Sequence, residues 1–343
     1  MQWTRIRSVF GERWMRALFF AAVSIGLSAS CVAADRAAAI EGLGDYPNRY
    51  IELIIPFAPG GGVDLFGRTV AQLLNDQKLV TKPIQVVNRA GAGGSVGMQL
   101  MVRRKGDPYS LLGIAIHAIA TPLTLGTPYS YKDMTPIAKI FSEYQMIVVR
   151  TQSPIKTLKD VEAALRKDPQ SLSIGGASLG NADHITVAKF AQAIGVDPVK
   201  INYIPYSGGE SNPAIIGGHV DLGMGGLDLM SQVEAGRMRV LAVSSPKRLG
   251  GAFSKLPTFV EQGYNVVNEN WRGLFGPPEM PAPIVQYWRA ALAQMVQSPA
   301  WKAELEKNQW VNTFETDTFR ASLDRENQIY SVLLKQLGLL KQQ

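Results

Sequence analysis

The sequence predicts an α/β protein of two lobes, each a mostly parallel sheet flanked by helices, with a ligand cleft between the lobes. Three observations support this prediction. Short apolar runs rich in β-branched residues alternate with helical patterns, which indicates strand–helix–strand units. Glycine-rich turns separate several of these runs from the helix that follows. The length of 343 residues corresponds to about two domains.

The same order of strand, turn and helix recurs along most of the chain. Apolar runs predict strands at residues 50–57, 84–88, 111–116, 144–150, 172–174, 201–204, 220–222 and 240–243. Helical spacing predicts helices at 64–74, 95–103, 157–167 and 183–194. After Gly276 the sequence is first proline-rich and then purely helical, with helices predicted at 282–297, 299–308 and 317–337.

These elements divide into two lobes. We expect lobe I to comprise residues 48–148 plus 271–343, and lobe II to comprise residues 149–270. The chain then crosses between the lobes twice, which favours a hinge. A cleft between hinged lobes is a common place for a small ligand.

Residues 1–34 have the features of a signal peptide. Four arginines and one glutamate precede an uncharged apolar stretch at 17–27, and Val32-Ala33-Ala34 fits the small-residue rule for cleavage after Ala34. Two alternatives stay open, an uncleaved membrane anchor formed by the same region and a lipid attached to Cys31. Cleavage removes the only cysteine and lowers the net charge from +7 to +4.

The composition excludes several classes of protein. An apolar fraction of 46% supports packed cores and excludes disorder, and one cysteine cannot form an intramolecular disulfide or a zinc–thiolate site. Because the net charge is modest and no segment is dense in lysine and arginine, we expect no nucleic acid partner. The histidines lack metal-ligand spacing, so we expect no metal. We also expect no cofactor.

The strongest local signal is the glycine-rich stretch 58–64, which follows the first predicted strand and opens the first helix. Gly60, Gly61 and Gly62 leave backbone N–H groups uncovered at a helix N-terminus, which favours binding of an anion. No Gly-Lys-Ser/Thr follows, so the stretch is not a nucleotide-binding Walker loop. The alternative is a tight turn in which Asp64 is an ordinary helix N-cap.

A second glycine-rich turn, at residues 89–97, is similar to the G-x-G-x-x-G loop that binds dinucleotides, with Gly91 and Gly93 as its first two glycines. That fingerprint requires glycine at position 96, where the sequence has Val96. A structural turn that supports the first loop is therefore favoured.

A third turn, at 176–180, matches the nucleophile elbow G-x-S-x-G of hydrolases, with Ser178 in the nucleophile position. No histidine follows His219 to complete a catalytic triad in the usual late position. We therefore favour a second anion-facing loop that includes Ser178 and Asn181, and keep a serine esterase as the enzymatic alternative.

Several other side chains are candidates for the cleft, each with packing or plain surface exposure as the alternative. His117 follows a predicted strand, and His184 lies just inside a helix start. Arg68, Arg150 and Arg272 are candidates to complement a carboxylate.

Short segments spread over residues 48–340 occur in an order and spacing that chance would hardly produce. They include Pro-Phe-Ala-Pro-Gly-Gly-Gly-Val-Asp at 56–64, Asn-Arg-Ala-Gly-Ala-Gly-Gly at 88–94, Tyr-Ile-Pro-Tyr at 203–206, Gly-Gly-His-Val-Asp at 217–221 and Trp-Arg-Gly-Leu-Phe-Gly-Pro-Pro at 271–278. Together they resemble the periplasmic substrate-binding receptors of tripartite tricarboxylate transporters, also called Bug proteins.

The resemblance implies a two-lobed, periplasmic-binding-protein-like fold that closes on a small carboxylate. In that family backbone amides and water from two facing loops hold most of the ligand. Carried over to this sequence, the implied ligand-binding residues are Ala58, Gly60, Gly61, Gly62, Val63, Asp64, His117, Ala177, Ser178, Leu179, Asn181, His184, Gly225 and Asp228.

The implied function is that of a periplasmic receptor, which binds a di- or tricarboxylate and delivers it to the integral-membrane permease subunits of a tripartite transporter. We expect a monomer that catalyses no reaction. Two alternatives stay open from the residues, a hydrolase that uses Ser178 and an orphan sensor that reports a carboxylate to a signalling partner.

Overall fold

The computed structural model describes residues 43–206, 211–226 and 229–341. The predicted signal peptide at 1–34 and the predicted ligand contact Asp228 lie outside these residues. The described chain forms two β-sheets with helices against them, which confirms the predicted α/β class. None of its helices combines the length and the apolar character needed to cross a lipid bilayer.

The elements alternate along most of the described chain. Its strands are β1 (Ile51–Ile55), β2 (Ile84–Asn88), β3 (Ser110–Ala115), β4 (Thr135–Tyr144), β5 (Met146–Arg150), β6 (Ser173–Gly176), β7 (Asn202–Pro205), β8 (Leu222–Gly225), β9 (Met238–Val243), β10 (Glu269–Gly276) and β11 (Val311–Glu315). Its α-helices are α1 (Gly62–Asp76), α2 (Ser95–Arg103), α3 (His117–Leu125), α4 (Leu158–Lys167), α5 (Ala182–Ala193), α6 (Ser211–Gly217), α7 (Met230–Glu234), α8 (Ala282–Met295), α9 (Pro299–Asn308) and α10 (Phe319–Gln336).

The first sheet has the strand order β11-β4-β10-β3-β1-β2 and the second β7-β6-β8-β5-β9. Parallel pairs join β1 to β2 and β3, and β6 to β7 and β8. Antiparallel pairs join β10 to β3 and β4, β11 to β4, and β5 to β8 and β9. Both sheets are therefore mixed, and the prediction of mostly parallel sheets is wrong. The antiparallel strands include β4, β5, β9 and β10, which carry the chain between the two sheets.

The chain passes from the first sheet to the second between β4 and β5 and returns between β9 and β10. The strands of the first sheet come from residues 51–144 and 269–315, and those of the second from residues 146–243. Lobe boundaries at 148/149 and 270/271 stay a prediction.

Helices cover both faces of the first sheet. On one face Leu53 packs in a core with Phe66 of α1 and Trp288 of α8. On the other face Ile54 packs in a core with Met98 of α2 and Tyr330 of α10. Burial on both faces explains why β1 and β3 are apolar at nearly every position, with only Glu52 and Ser110 polar, rather than alternating.

Close packing of α1 on the sheet fixes where that helix begins. A β-carbon on Gly67 of α1 would lie 2.4 Å from Ile55 Cδ1, and one on Gly113 of β3 would lie 2.8 Å from the same atom. Glycine at both positions lets the helix approach the strands directly. The first turn of α1 is thereby held at the carboxyl end of β1, where α/β sheets bind ligands.

Candidate ligand-binding site

The first glycine-rich loop joins the end of β1 to the start of α1. Its last residue, Gly61, is the N-cap of α1 and supplies no side-chain hydrogen bond, so the first-turn N–H groups are uncovered. Gly60 has a φ of +87°, a left-handed conformation that glycine adopts without strain. A β-carbon at Gly60 would find open space around it. The loop therefore exposes bare backbone.

Asp64 holds this loop in shape. Its Oδ2 accepts hydrogen bonds from the Gly60 N–H and from Arg68 Nε, both at 2.9 Å, and its Oδ1 accepts one from Asn88 Nδ2 at 2.8 Å. Burial alone would raise the pKa of Asp64, but these three hydrogen bonds outweigh it and lower the pKa below its usual value. The interpretation of Asp64 as the N-cap is wrong, because the cap is Gly61 and Asp64 is the third helical residue.

The three helices that follow the parallel strands β1, β2 and β3 begin without a side-chain cap. These are α1 after Gly61, α2 after Gly94 and α3 after Ile116. Strands β1 and β3 pair in parallel and are followed by α1 and α3, so both helix starts lie at the same edge of the sheet. Uncapped N-termini carry partial positive charge and free N–H donors, which suit a carboxylate.

His117, the first residue of α3, packs its ring 4.7 Å from the ring of Phe57 in the first loop. Its Nδ1 is buried and has no hydrogen-bond partner within the described chain. Burial, and next to it the charge of Arg272, lowers the pKa of His117 to about 4. At neutral pH the imidazole is therefore uncharged.

The second predicted loop lies between β6 and α5. Asn181 is the N-cap of α5, and its Oδ1 accepts hydrogen bonds from the N–H groups of Asp183 and His184. Asp183 in turn accepts the N–H of Ala177 at 2.9 Å. Ser178 is exposed, as is Leu179. This loop offers fewer uncovered N–H groups than the first, since its own side chains use several of them.

Two local contacts fix the orientation of the His184 side chain. Its Nδ1 accepts the N–H of Gly180 at 3.1 Å, and its ring stacks on Tyr203 with 4.3 Å between ring centres. Burial lowers the pKa of His184 to about 4. Because Nδ1 accepts a hydrogen bond, the neutral ring carries its proton on Nε2, so neither nitrogen is free to take the proton of Ser178 as the base of a hydrolase.

We expect His117 and His184 to stay neutral down to about pH 5 because both pKa values lie near 4. The chain has only three histidines, so their imidazole resonances can be followed individually by NMR during a pH titration. His117→Gln and His184→Gln assign the two signals. A midpoint above pH 6 for either one would contradict the burial described above.

The two crossings between the sheets are joined by hydrogen bonds. Gln145, the single residue between β4 and β5, donates its N–H to Ser244 Oγ at 3.0 Å, and Ser244 donates its N–H to the Gln145 carbonyl at 2.8 Å. Ser244 Oγ also donates to the carbonyl of Asn268 at 2.7 Å. The Gln145 amide donates to Asp183 in the first turn of α5, which also accepts the N–H of Ala177 in the second loop. The crossing is therefore linked directly to one of the predicted binding loops.

Sequence reasoning missed two residues at the first crossing between the sheets. Glu143 lies near the end of β4, and Gln145 joins β4 to β5. Glu143 forms a 2.6 Å ion pair with Arg272, and its partner lies 129 residues away in sequence. Polar residues at the end of an apolar strand were the available signal. Gly225 ends β8 and pairs with Met146, the first residue of β5, which brings it next to the same crossing.

The three candidate arginines differ in their surroundings. Arg68 has a half-exposed side chain and pairs with Asp64. Arg150 ends β5, and its guanidinium lies against Gly218. Arg272 is 5% exposed and lies on β10 beside the end of β3. Of the three, Arg272 is the buried one near the uncapped helix starts.

No group of three histidine, cysteine, aspartate or glutamate side chains is arranged to hold a metal ion within residues 43–206, 211–226 and 229–341. The candidate site formed by the described residues consists of backbone N–H groups, neutral imidazoles, amides and the buried guanidinium of Arg272, which is paired with Glu143. Such a set suits recognition of a small anion.

Comparisons with known proteins agree with this description. A family model described as the tripartite tricarboxylate transporter family receptor matches residues 67–336. Protein BugT of Bordetella pertussis is 28% identical over 312 residues, covering 88% of this chain and 87% of BugT.

Solved structures with the same fold are also similar to the chain. A TctC solute binding protein from Polaromonas, solved without ligand, is 29% identical with a TM-score of 0.74, covering 85% of this chain and all of that one. Rpa4515 of R. palustris, solved with adipate, shares the fold at 24% identity and a TM-score of 0.72, covering 86% of this chain and 99% of that one. The family model spans most of the sequence, so the chain belongs to the tripartite tricarboxylate transporter receptor family.

Proposed function

We propose that this protein is an extracytoplasmic receptor that captures a small organic di- or tricarboxylate in a cleft between two lobes. It then delivers the acid to the membrane permease of a tripartite transporter and catalyses no reaction. The observation that carries the proposal is the first loop, whose bare glycine backbone leads into the uncapped N-terminus of α1. Family membership and the adipate held by a protein of the same fold support it.

The proposed location is the periplasm, with a signal peptide removed after Ala34. Lobe I comprises residues 48–148 plus 271–343 and lobe II residues 149–270, with Gln145 and Asn268 near the two crossings. The ligand contacts are those implied by the family resemblance. At Asp64 the contact is through the backbone N–H, since its carboxylate is occupied by protein donors.

Thermal melts of the mature chain with a panel of acids test this proposal. The panel comprises adipate, malate, succinate, glutamate and citrate, each at about 10 mM, which saturates a micromolar site. An acid present at about 100 times its Kd adds about 2.7 kcal/mol to the free energy of unfolding, a shift of several degrees. Unchanged melts with all five acids would contradict the proposal.

Gly61→Val locates the binding event. Gly61 has a φ of −82°, and a β-carbon there would make only an ordinary contact of 3.8 Å with the Ala58 carbonyl oxygen, so valine fits the backbone but covers the uncapped helix start. Gly250→Val is the matched control, because Gly250 is also a helix N-cap with a φ of −84° and open surroundings. We expect Gly61→Val to lose the acid-induced shift and Gly250→Val to keep it. Equal shifts in both variants would place binding elsewhere.

The hydrolase alternative has its own test. We expect a fluorophosphonate probe to leave Ser178 unlabelled, because the nearby His184 is held by Gly180 and Tyr203. Labelling of the intact chain that disappears in Ser178→Ala would favour a hydrolase and contradict the receptor proposal.

A further inference from the structure

Arg272 is a buried cation whose hydrogen-bonding capacity is only partly used. Its Nη1 donates to the carbonyls of Asn270 at 3.0 Å and Trp271 at 3.3 Å, and its Nη2 pairs with Glu143 Oε2 at 2.6 Å. Its Nε is buried and has no partner in the described chain. A guanidinium has five N–H donors, so donors remain for a ligand.

The guanidinium is directed at the start of α1. Arg272 Nη2 lies 3.4 Å from the position that a β-carbon on Gly62, the first residue of α1, would occupy. The uncapped N–H groups of α1 and the charge of Arg272 therefore converge on one small region. A carboxylate there would gain both backbone hydrogen bonds and a charged partner.

Glu143 holds the guanidinium in this orientation. Its Oε2 pairs with Arg272, while its Oε1 accepts the indole N–H of Trp310 at 3.0 Å. Because the carboxylate is fixed at both oxygens, Arg272 does not need a ligand to keep its place. A binding group that is pre-organised loses little entropy when the ligand arrives.

We propose that Arg272 is the residue that determines charge specificity at the first loop, by contacting the carboxylate that binds at the start of α1. This inference rests on the proposed function and deepens it. Backbone N–H groups donate to a neutral amide oxygen as well as to a carboxylate oxygen. A buried guanidinium favours the ionised group, so it makes the site reject uncharged analogues of the same shape.

Isothermal titration of Arg272→Lys and Arg272→Gln tests the inference with adipate, malate and succinate and their neutral diamides as probes. Loss of a charge-assisted hydrogen bond weakens binding about 10- to 100-fold. We expect the intact protein to bind acid far more tightly than diamide. Arg272→Gln should weaken acid binding about 10- to 100-fold and leave diamide binding unchanged, with Arg272→Lys intermediate because lysine keeps the charge.

Two further variants keep the test decisive. Arg320→Gln removes another partly buried arginine, which donates to the carbonyls of Tyr131 and Met134, and should leave acid affinity unchanged. The double variant Arg272→Gln with Glu143→Gln removes both charges of the pair, so no carboxylate is left buried alone. It should also lose acid affinity.

The outcomes separate this inference from the proposed function. If none of the five acids of the thermal panel binds the intact protein, the receptor proposal fails. If acids bind and Arg272→Gln binds them as tightly as the intact protein does, the receptor proposal stands and the role of Arg272 is refuted. Equal losses in Arg272→Lys and Arg272→Gln would also refute a role based on charge.

Discussion

Replacing Asp64 with alanine should lower the free energy of unfolding by about 2 to 4 kcal/mol and weaken acid binding at least about tenfold. The carboxylate accepts hydrogen bonds from Gly60, Arg68 and Asn88, and Asp64 is only 3% exposed. Its removal leaves the Gly60 N–H without its acceptor and the Asn88 amide with only the Phe57 carbonyl as acceptor. The loop then loses the contact that shapes it.

Urea denaturation at pH 7 measures the first effect, and titration with the tightest acid of the panel measures the second. Asp76→Ala is the matched control, because Asp76 is an exposed residue at the other end of the same helix. It should change the free energy of unfolding by less than about 0.5 kcal/mol. An Asp64→Ala protein as stable as this control would mean that other contacts shape the loop.

Replacing Glu326 with glutamine should stabilise the protein by about 2 to 3 kcal/mol at pH 7. Glu326 lies on α10, where it accepts the indole N–H of Trp271 and borders a cavity of about 610 Å³ between α10, α5 and β10. Burial raises its pKa to about 8, the Trp271 hydrogen bond opposes this, and the charge of Glu269 adds to it. Glutamine keeps the acceptor for Trp271 without a titrating group.

The direction in which the free energy of unfolding changes with pH follows from proton binding at Glu326. Between the ordinary carboxyl pKa of 4.5 and about 8, the folded state holds a proton on Glu326 that the unfolded state has released. Folding must therefore take up a proton, and the free energy of unfolding falls as pH rises through this window. Each pH unit above 4.5 costs at most about 1.4 kcal/mol.

Chemical denaturation at pH 4, 6 and 8 tests the prediction for Glu326. The difference between Glu326→Gln and the unmodified protein should be near zero at pH 4 and grow as the pH rises. Glu306→Gln, an exposed substitution on α9, should show no such trend. A Glu326→Gln protein that is less stable than the unmodified one at pH 8 would refute a protonated carboxyl at this position.

Local patterns in the sequence predicted the parts of the fold that depend on neighbouring residues. Apolar runs identified β1 and β3, and three consecutive glycines marked the loop before α1. Asn181 was predicted to belong to the second loop, and it caps α5. Each of these features is encoded within about ten residues, which is the range of hydrophobic periodicity and helix capping.

Strands β4, β10 and β11, which the sequence patterns did not predict, depend on partners that are distant in sequence. Strand β4 carries Lys139 in a buried position, which a lone sequence pattern does not favour. The structure neutralises it with Glu269 of β10 and Glu315 of β11, both more than 100 residues later. The pairing that makes β4, β10 and β11 stable is therefore invisible to local reasoning.

The same limit applies to the candidate site. Arg272, one of three arginines among which the sequence could not choose, is singled out by its ion pair with Glu143 and its approach to Gly62. Gln145 links the crossing between the sheets to the second loop through its hydrogen bonds to Ser244 and Asp183. These contacts join elements that only the folded chain brings together.

A crystal structure of the mature protein with the acid that gives the largest thermal shift tests whether the start of α1 and Arg272 hold the ligand. We expect one carboxylate of that acid at the start of α1, within about 3 Å of the N–H groups of Gly62 or Val63 and of a guanidinium nitrogen of Arg272. An acid bound with its carboxylates away from that helix start, for example in the cavity beside Glu326, would contradict it.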